Sequence, residues 1–185
     1  MNEVILEVKK RETGKKVANS LRNSDYVPGV FYVKGTENVN IYAKTLDLRP
    51  IVYTSQTKIV DLKIEGESTT YQCILKDIQL DPVTDKIVHF DLQGLVPGQK
   101  LTVELPIKLI GQPVGVRQGG KLMQTLHKLK VKVLPKDLVE AIEANIAQLN
   151  IGESLYVKDL NLQNFEIDIN PDTVVVSVTK PRGAQ

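Results

Sequence analysis

A mainly β protein in two parts is what this sequence predicts, and three observations lead there. Apolar and polar residues alternate in short runs, most plainly in Lys128-Leu129-Lys130-Val131-Lys132-Val133, the period of a half-buried strand. Gly, Pro, Asn and Asp separate the runs. The stretch 93–99 carries Gly94, Pro97 and Gly98, and a fresh alternating series starts at Leu101, which makes it the natural boundary.

Taken in order, the first part predicts strands at Val4 to Lys10, Gly29 to Val33, Val39 to Ala43, Lys58 to Glu65, Thr69 to Leu80 and Lys86 to Leu92. Two short helices interrupt them. Lys15 to Asn23 sets Val17, Ala18 and Leu21 on one face, leaving Lys15, Lys16, Asn19 and Arg22 for the others. The second helix is expected to take Asp47 as N-cap, with Pro50 in its first turn, and to end near Tyr53. The second part predicts strands at Leu101 to Ile110, His127 to Leu134, Glu140 to Ile146, Phe165 to Ile169 and Thr173 to Thr179. The domains are thus expected at 1–93 and 94–180, with 181–185 a flexible tail.

Composition narrows the function classes. The chain has 185 residues, 42% of them hydrophobic, with three Phe, six Tyr and no Trp, so a core must come from Val, Leu and Ile and disorder of the whole chain is excluded. No apolar run approaches the ~20 residues of a membrane span. Met1-Asn2-Glu3 lacks the basic start of a secretory signal, so a cytoplasmic location without membrane partners is expected. The lone Cys73 rules out an internal disulfide and a multi-thiolate metal site.

The net charge is only +2, so the distribution matters more. Residues 1–92 hold 13 basic and 13 acidic side chains, and residues 93–185 hold 11 and 9. Five cations nonetheless cluster at Lys9, Lys10, Arg11, Lys15 and Lys16 against Glu12 alone. From Asp137 to Asp168 seven acids face only Lys158. A polyanion partner would therefore meet the N-terminal end.

Catalytic chemistry finds little support. His89 and His127 lie in different domains; His89 and Asp91 are two apart on a strand and share a side, but no third metal ligand is spaced to join them. The segment Gly115 to Lys121 has the spacing of a phosphate-binding loop yet continues with Leu122, where magnesium needs a hydroxyl, so a turn between strands is expected instead. The basic cluster is the better candidate. Gly14-Lys15-Lys16 opens a helix, so backbone amides and ammonium groups could meet the same phosphates, and Arg22, Tyr26, Phe31 and Tyr32 follow closely.

These residues resemble a known family. Arg11-Glu12-Thr13-Gly14-Lys15-Lys16, Leu21-Arg22 and Val27-Pro28-Gly29-Val30-Phe31-Tyr32, followed by Lys76-Asp77-Ile78-Gln79-Leu80-Asp81-Pro82 and His89-Phe90-Asp91, resemble the bacterial 5S-rRNA-binding ribosomal protein family of the large subunit, number twenty-five. Leu105-Pro106-Ile107, Gly111-Gln112-Pro113, Gly119-Gly120 and Ile151-Gly152-Glu153-Ser154-Leu155 are similar to the C-terminal domain of its long form, the general stress protein CTC.

The resemblance implies an N-terminal small β-barrel with two short helices plus a C-terminal β-rich domain. It implies a non-enzymatic structural protein, without cofactor, metal or small-molecule substrate, that binds 5S rRNA at the central protuberance beside other ribosomal proteins, with 23S rRNA a further partner it admits. Carried over by position, Lys10, Arg11, Lys15, Lys16 and Arg22 would contact phosphates, with Asn19 beside them. Tyr32 would lie on the RNA face, and Gln79, His89 and Asp91 would hydrogen-bond to RNA. Asn19, Ser20 and Asn23 stand at or near positions where the family often has arginine, and Val33 replaces a common Gly. Fewer cations imply a shallower salt dependence. They also motivate the alternative, a stress-related protein-interaction module with weakened or lost RNA binding.

Overall fold

The structure, a computed structural model, describes residues 4–54, 56–162 and 164–180; the tail expected at 181–185 lies outside the described residues. The chain divides into two compact units, Met1–Gln99 and Lys100–Gln185.

The first unit runs β1 (Val4–Lys10), α1 (Lys15–Asn23), β2 (Tyr26–Tyr32), β3 (Val39–Lys44), α2 (Thr45–Val52), β4 (Ile59–Ile64), β5 (Thr70–Leu80) and β6 (Ile87–Gly94). Its six strands close into a barrel in the order β1-β3-β2-β6-β5-β4. The β1–β4 and β2–β6 pairs are parallel and the rest antiparallel. Closure leaves no unpaired edge and gives each strand an inner and an outer side. Leu6, Val8, Val27, Phe31, Ile41, Val60, Leu62, Phe90 and Leu92 fill the interior, and Leu48 and Ile51 of α2 join the same core.

One position shows how tight the wall is. A Cβ on Gly29 would stand 2.6 Å from both the ring Cζ and the carbonyl oxygen of Phe90, so β2 approaches β6 this closely only because residue 29 has no side chain.

Two local expectations change. β2 starts at Tyr26 rather than Gly29 and takes in Pro28, which the strand tolerates because pairing to β6 begins only at Gly29. Lys44, not Asp47, is the N-cap residue of α2, and Pro50 falls inside the helix. Asp47 instead sits in the first turn, where a carboxylate complements the helix dipole.

The second unit runs β7 (Leu101–Ile110), α3 (Val114–Arg117), β8 (Lys121–Gln124), β9 (Lys128–Val133), β10 (Ile142–Asn145), β11 (Ser154–Tyr156), β12 (Glu166–Ile167) and β13 (Val174–Thr179). It forms a four-stranded sheet, β10-β7-β9-β12, and a three-stranded one, β11-β13-β8. Alternation buries Leu129, Val131 and Val133 and exposes Lys128, Lys130 and Lys132. Those lysines do not make a single-sign stripe, because Lys130 pairs in register with Glu104, and Lys132 lies between Thr102 and Glu166.

The glycine-rich segment is structural. A Cβ on Gly115 would meet the Ile151 nitrogen at 2.6 Å, and one on Gly120 would meet the Gly115 oxygen at 2.7 Å. The Gly115 and Gly120 amides donate to Leu149 and Gly115 carbonyls. These two amides serve close packing, not a phosphate cradle.

Candidate nucleic-acid interface

The outer wall of β2, β6 and β5 carries four of the sequence-selected residues, Tyr32, Gln79, His89 and Asp91. On β6, Phe90 and Leu92 point into the core, so His89, Asp91 and Gln93 point out. On β5, Ile78 packs against the core and Asp77 and Gln79 point out. Register sets Gln79 opposite His89 and Asp77 opposite Asp91, while on the other side Val30 neighbours Asp91 and Tyr32 neighbours Gln93. The His89 Nδ1 lies 2.9 Å from Asp91 Oδ1, with the two side chains 22% and 35% exposed. Donation from Nδ1–H fixes the ring and leaves Nε2 to an outside partner. The imidazole is therefore on the surface, not under aliphatic neighbours.

Helix α1 supplies the cations. Its N-cap is Gly14, at φ +143°, with no side-chain cap, so the first-turn amides face solvent or an anion. Lys15, Asn19 and Arg22 share a helix face at i, i+4 and i+7, whereas Lys16 is turned roughly 100° from Lys15. Half-buried Val17, Ala18 and Leu21 form the side that packs, and the helix lies against β2.

Arg22 joins this helix to the barrel wall. Its Nε donates to the Val88 carbonyl at 3.1 Å, one residue before His89, and its Nη1 donates to Asn19 Oδ1 at 3.3 Å. Arg11 is tethered likewise, through Nε to the Ile41 carbonyl at 3.2 Å. Burial, and then the nearby Arg22 charge, lower the Arg11 pKa. Two guanidinium groups are thus held close together, each anchored to a strand carbonyl. Burial, then the charges of Asp91 and Asp77, push the Tyr32 phenol up.

Tyr32, Gln79, His89 and Asp91 thus share the outer wall, Arg22 with Asn19 is hydrogen-bonded to that wall at Val88, and Arg11 lies near Arg22. Lys10 does not join them directly. It pairs with Glu67 at 2.7 Å, and Glu67 also accepts from the Tyr71 hydroxyl at 3.0 Å. Of the aromatics expected beside the charges, Phe31 is not there, and Tyr26 lines a cleft with Lys9. Phe31 is in the core against Tyr71, with ring centroids 5.3 Å apart, and Tyr26 stacks edge-on to Tyr42 at 5.4 Å. Sequence reasoning passed over Asp77 and Gln93; the two-residue spacing of Asp77 and Gln79, matching that of His89 and Asp91, was the available signal for the first.

A closed six-stranded barrel with a cationic helix tethered to its wall, followed by a second β-rich unit, defines a mainly β protein of two compact units. Residues 6–92 match the Ribosomal L25p family, and residues 100–182 match the domain described as ribosomal protein TL5, C-terminal domain. The chain is 36% identical to the large ribosomal subunit protein bL25 of Chloroherpeton thalassium, covering 98% of this chain and 94% of the relative. It is 34% identical to that of Porphyromonas gingivalis, with coverages of 94% and 90%, and 36% identical to that of Amoebophilus asiaticus, with 96% and 89%. The chain belongs to the bacterial L25 ribosomal protein family, in its long form with a TL5-type C-terminal domain. This is a family of structural proteins, not enzymes.

Proposed function

We propose that this chain is a structural constituent of the large ribosomal subunit and that its first unit binds 5S rRNA at the central protuberance. The relatives' shared designation as large-subunit proteins supports the first statement. The observation that carries the second is the Arg22–Val88 hydrogen bond, which makes the helix cations and the His89–Asp91 wall one surface. On this reading Arg11, Lys15 and Arg22 contact phosphates and set position. Tyr32, Gln79, His89 and Asp91 contact riboses and base edges in a wide minor groove or an adjoining irregular loop. Lys10 and Lys16 are peripheral contacts, and Asn19 holds Arg22 in place.

The test is a gel shift of the full chain with 5S rRNA at several salt concentrations. Each phosphate-bound cation contributes about one unit to the logarithmic salt slope. Lys15→Ala with Arg22→Ala should therefore weaken binding and flatten the slope by about two. An unchanged affinity and slope would mean that the RNA does not lie on this face. If the unmodified chain binds 5S rRNA no better than an unrelated RNA, the alternative of a protein-interaction module takes its place, a reading that Asn19, Ser20 and Asn23 in the helix would then explain.

A further inference from the structure

The centre of the proposed RNA face carries a second carboxylate that the fold does not require. Asp77 is exposed, and no hydrogen bond or ion pair involves it among the described residues. Its register partner is Asp91, a cross-strand neighbour with Cβ atoms about 5 Å apart, where like charges oppose sheet formation. Asp91 is engaged by His89; Asp77 has no such partner.

The pairing arises from a bulge. Leu75 pairs with Leu92 and Asp77 with Asp91, so Lys76 is the extra residue on β5. Uninterrupted antiparallel pairing would set Lys76 opposite Asp91, an opposite-charge pair. The strand instead inserts one residue and brings a like charge to that slot. Bulges commonly re-aim a side chain next to a functional site. The same insertion keeps Ile78 in the core and turns Gln79 out beside His89.

A carboxylate facing a polyanion weakens binding unless it accepts a hydrogen bond there. The cations come from α1 and Arg11, anchored at the Val88 and Ile41 carbonyls, whereas Asp77 has Asp91 across the register and Gln79, opposite His89, two residues along its own strand. Resting on the RNA-binding reading above, we infer that Asp77 is a further RNA-reading residue, its carboxylate accepting from a neutral donor of the RNA, a ribose 2′-hydroxyl or a base amino group. An ionised carboxylate is acceptor only, so it selects such donors and rejects phosphate oxygens.

The sign of one substitution tests this. Asp77→Asn keeps the shape and removes the charge, so on a bystander it tightens binding to any RNA. On an acceptor that reads a donor it weakens 5S rRNA binding by about tenfold, the size of one lost charge-assisted hydrogen bond. Binding to an unrelated duplex should stay equal or tighten, and the salt slope should not change because no cation is lost. Nucleotide-analogue interference separates the two donors: a 2′-deoxy or an inosine substitution at one site should weaken the unmodified chain and leave Asp77→Asn unaffected. Equal or tighter 5S binding by Asp77→Asn, while Lys15→Ala with Arg22→Ala still weakens it, overturns this inference alone. Failure of the unmodified chain to prefer 5S rRNA overturns the RNA reading with it.

Discussion

Asp81 shows how a single side chain shapes the loop that leads into the candidate face. Its Oδ1 accepts from the Val83 amide at 3.0 Å, the Thr84 amide at 2.8 Å and the Thr84 hydroxyl at 3.0 Å. The Thr84 amide first, then that of Val83, holds the carboxyl below its usual range. These bonds favour the ionised form, so their stabilisation is complete above the unfolded pKa of about 4. It disappears as pH falls through the lowered folded value. The amide proton resonances of Val83 and Thr84 should therefore titrate together, with a midpoint below that of a free aspartate, and Asp81→Ala should abolish that titration. A midpoint at the ordinary value would mean the loop is not held this way. The turn also needs Asp85 at φ +54°, a conformation that Asp tolerates better than most residues. The Tyr53 hydroxyl donates to the Asp85 carbonyl at 3.0 Å.

At the level of elements, the approach of β2 to β6 is the contact on which the face depends. Gly29 pairs with Phe90, and the next pair, Val30 with Asp91, belongs to the outer wall. Gly29→Ala should cost about 1–3 kcal/mol through overpacking, since neither the Phe90 carbonyl nor its ring in the core can retreat freely. Denaturant unfolding should show a lower midpoint. Weakened 5S rRNA binding should accompany it, because the strands separate where His89 and Asp91 are displayed. Wild-type stability in this variant would contradict the close approach. The same element explains which aromatic was misjudged: in Tyr26 to Tyr32 the inward positions are Val27, Gly29 and Phe31, so Phe31 had to be core once the strand was extended back to Tyr26.

Over the whole molecule, each of the two units buries apolar residues of its own. Phe90 and Cys73 are fully buried in the first, and Leu129 in the second. Burial pushes the Cys73 thiol up to about 12, so it is unreactive in the folded state and reports opening of the first unit. Phe90→Ala should destabilise that unit by about 3–5 kcal/mol and speed Cys73 labelling by a thiol reagent at neutral pH. Leu129→Ala should leave the labelling rate near its original value. Equal acceleration by both would show that the two cores open as one.

Much of the first unit was legible in the residues because strand and helix periods are local. Alternation places His89 and Asp91 on one side of β6, and the 3.6-residue period places Lys15, Asn19 and Arg22 together. In the second unit β8 and β11 escaped notice because four and three residues are too few to establish a period. The one-turn α3 lay hidden in a glycine-rich stretch for the same reason.

By itself the sequence determined the side of each strand on which a residue lies and the family motifs, since both are carried by neighbours along the chain. Only the tertiary structure decided that β2 adjoins β6, that Arg22 reaches a carbonyl 66 residues away, and that Lys76 is bulged out so that Asp77 meets Asp91. Strand order and register are settled by how the barrel fills its interior and satisfies its backbone, and no spacing along one strand encodes the partner it will have.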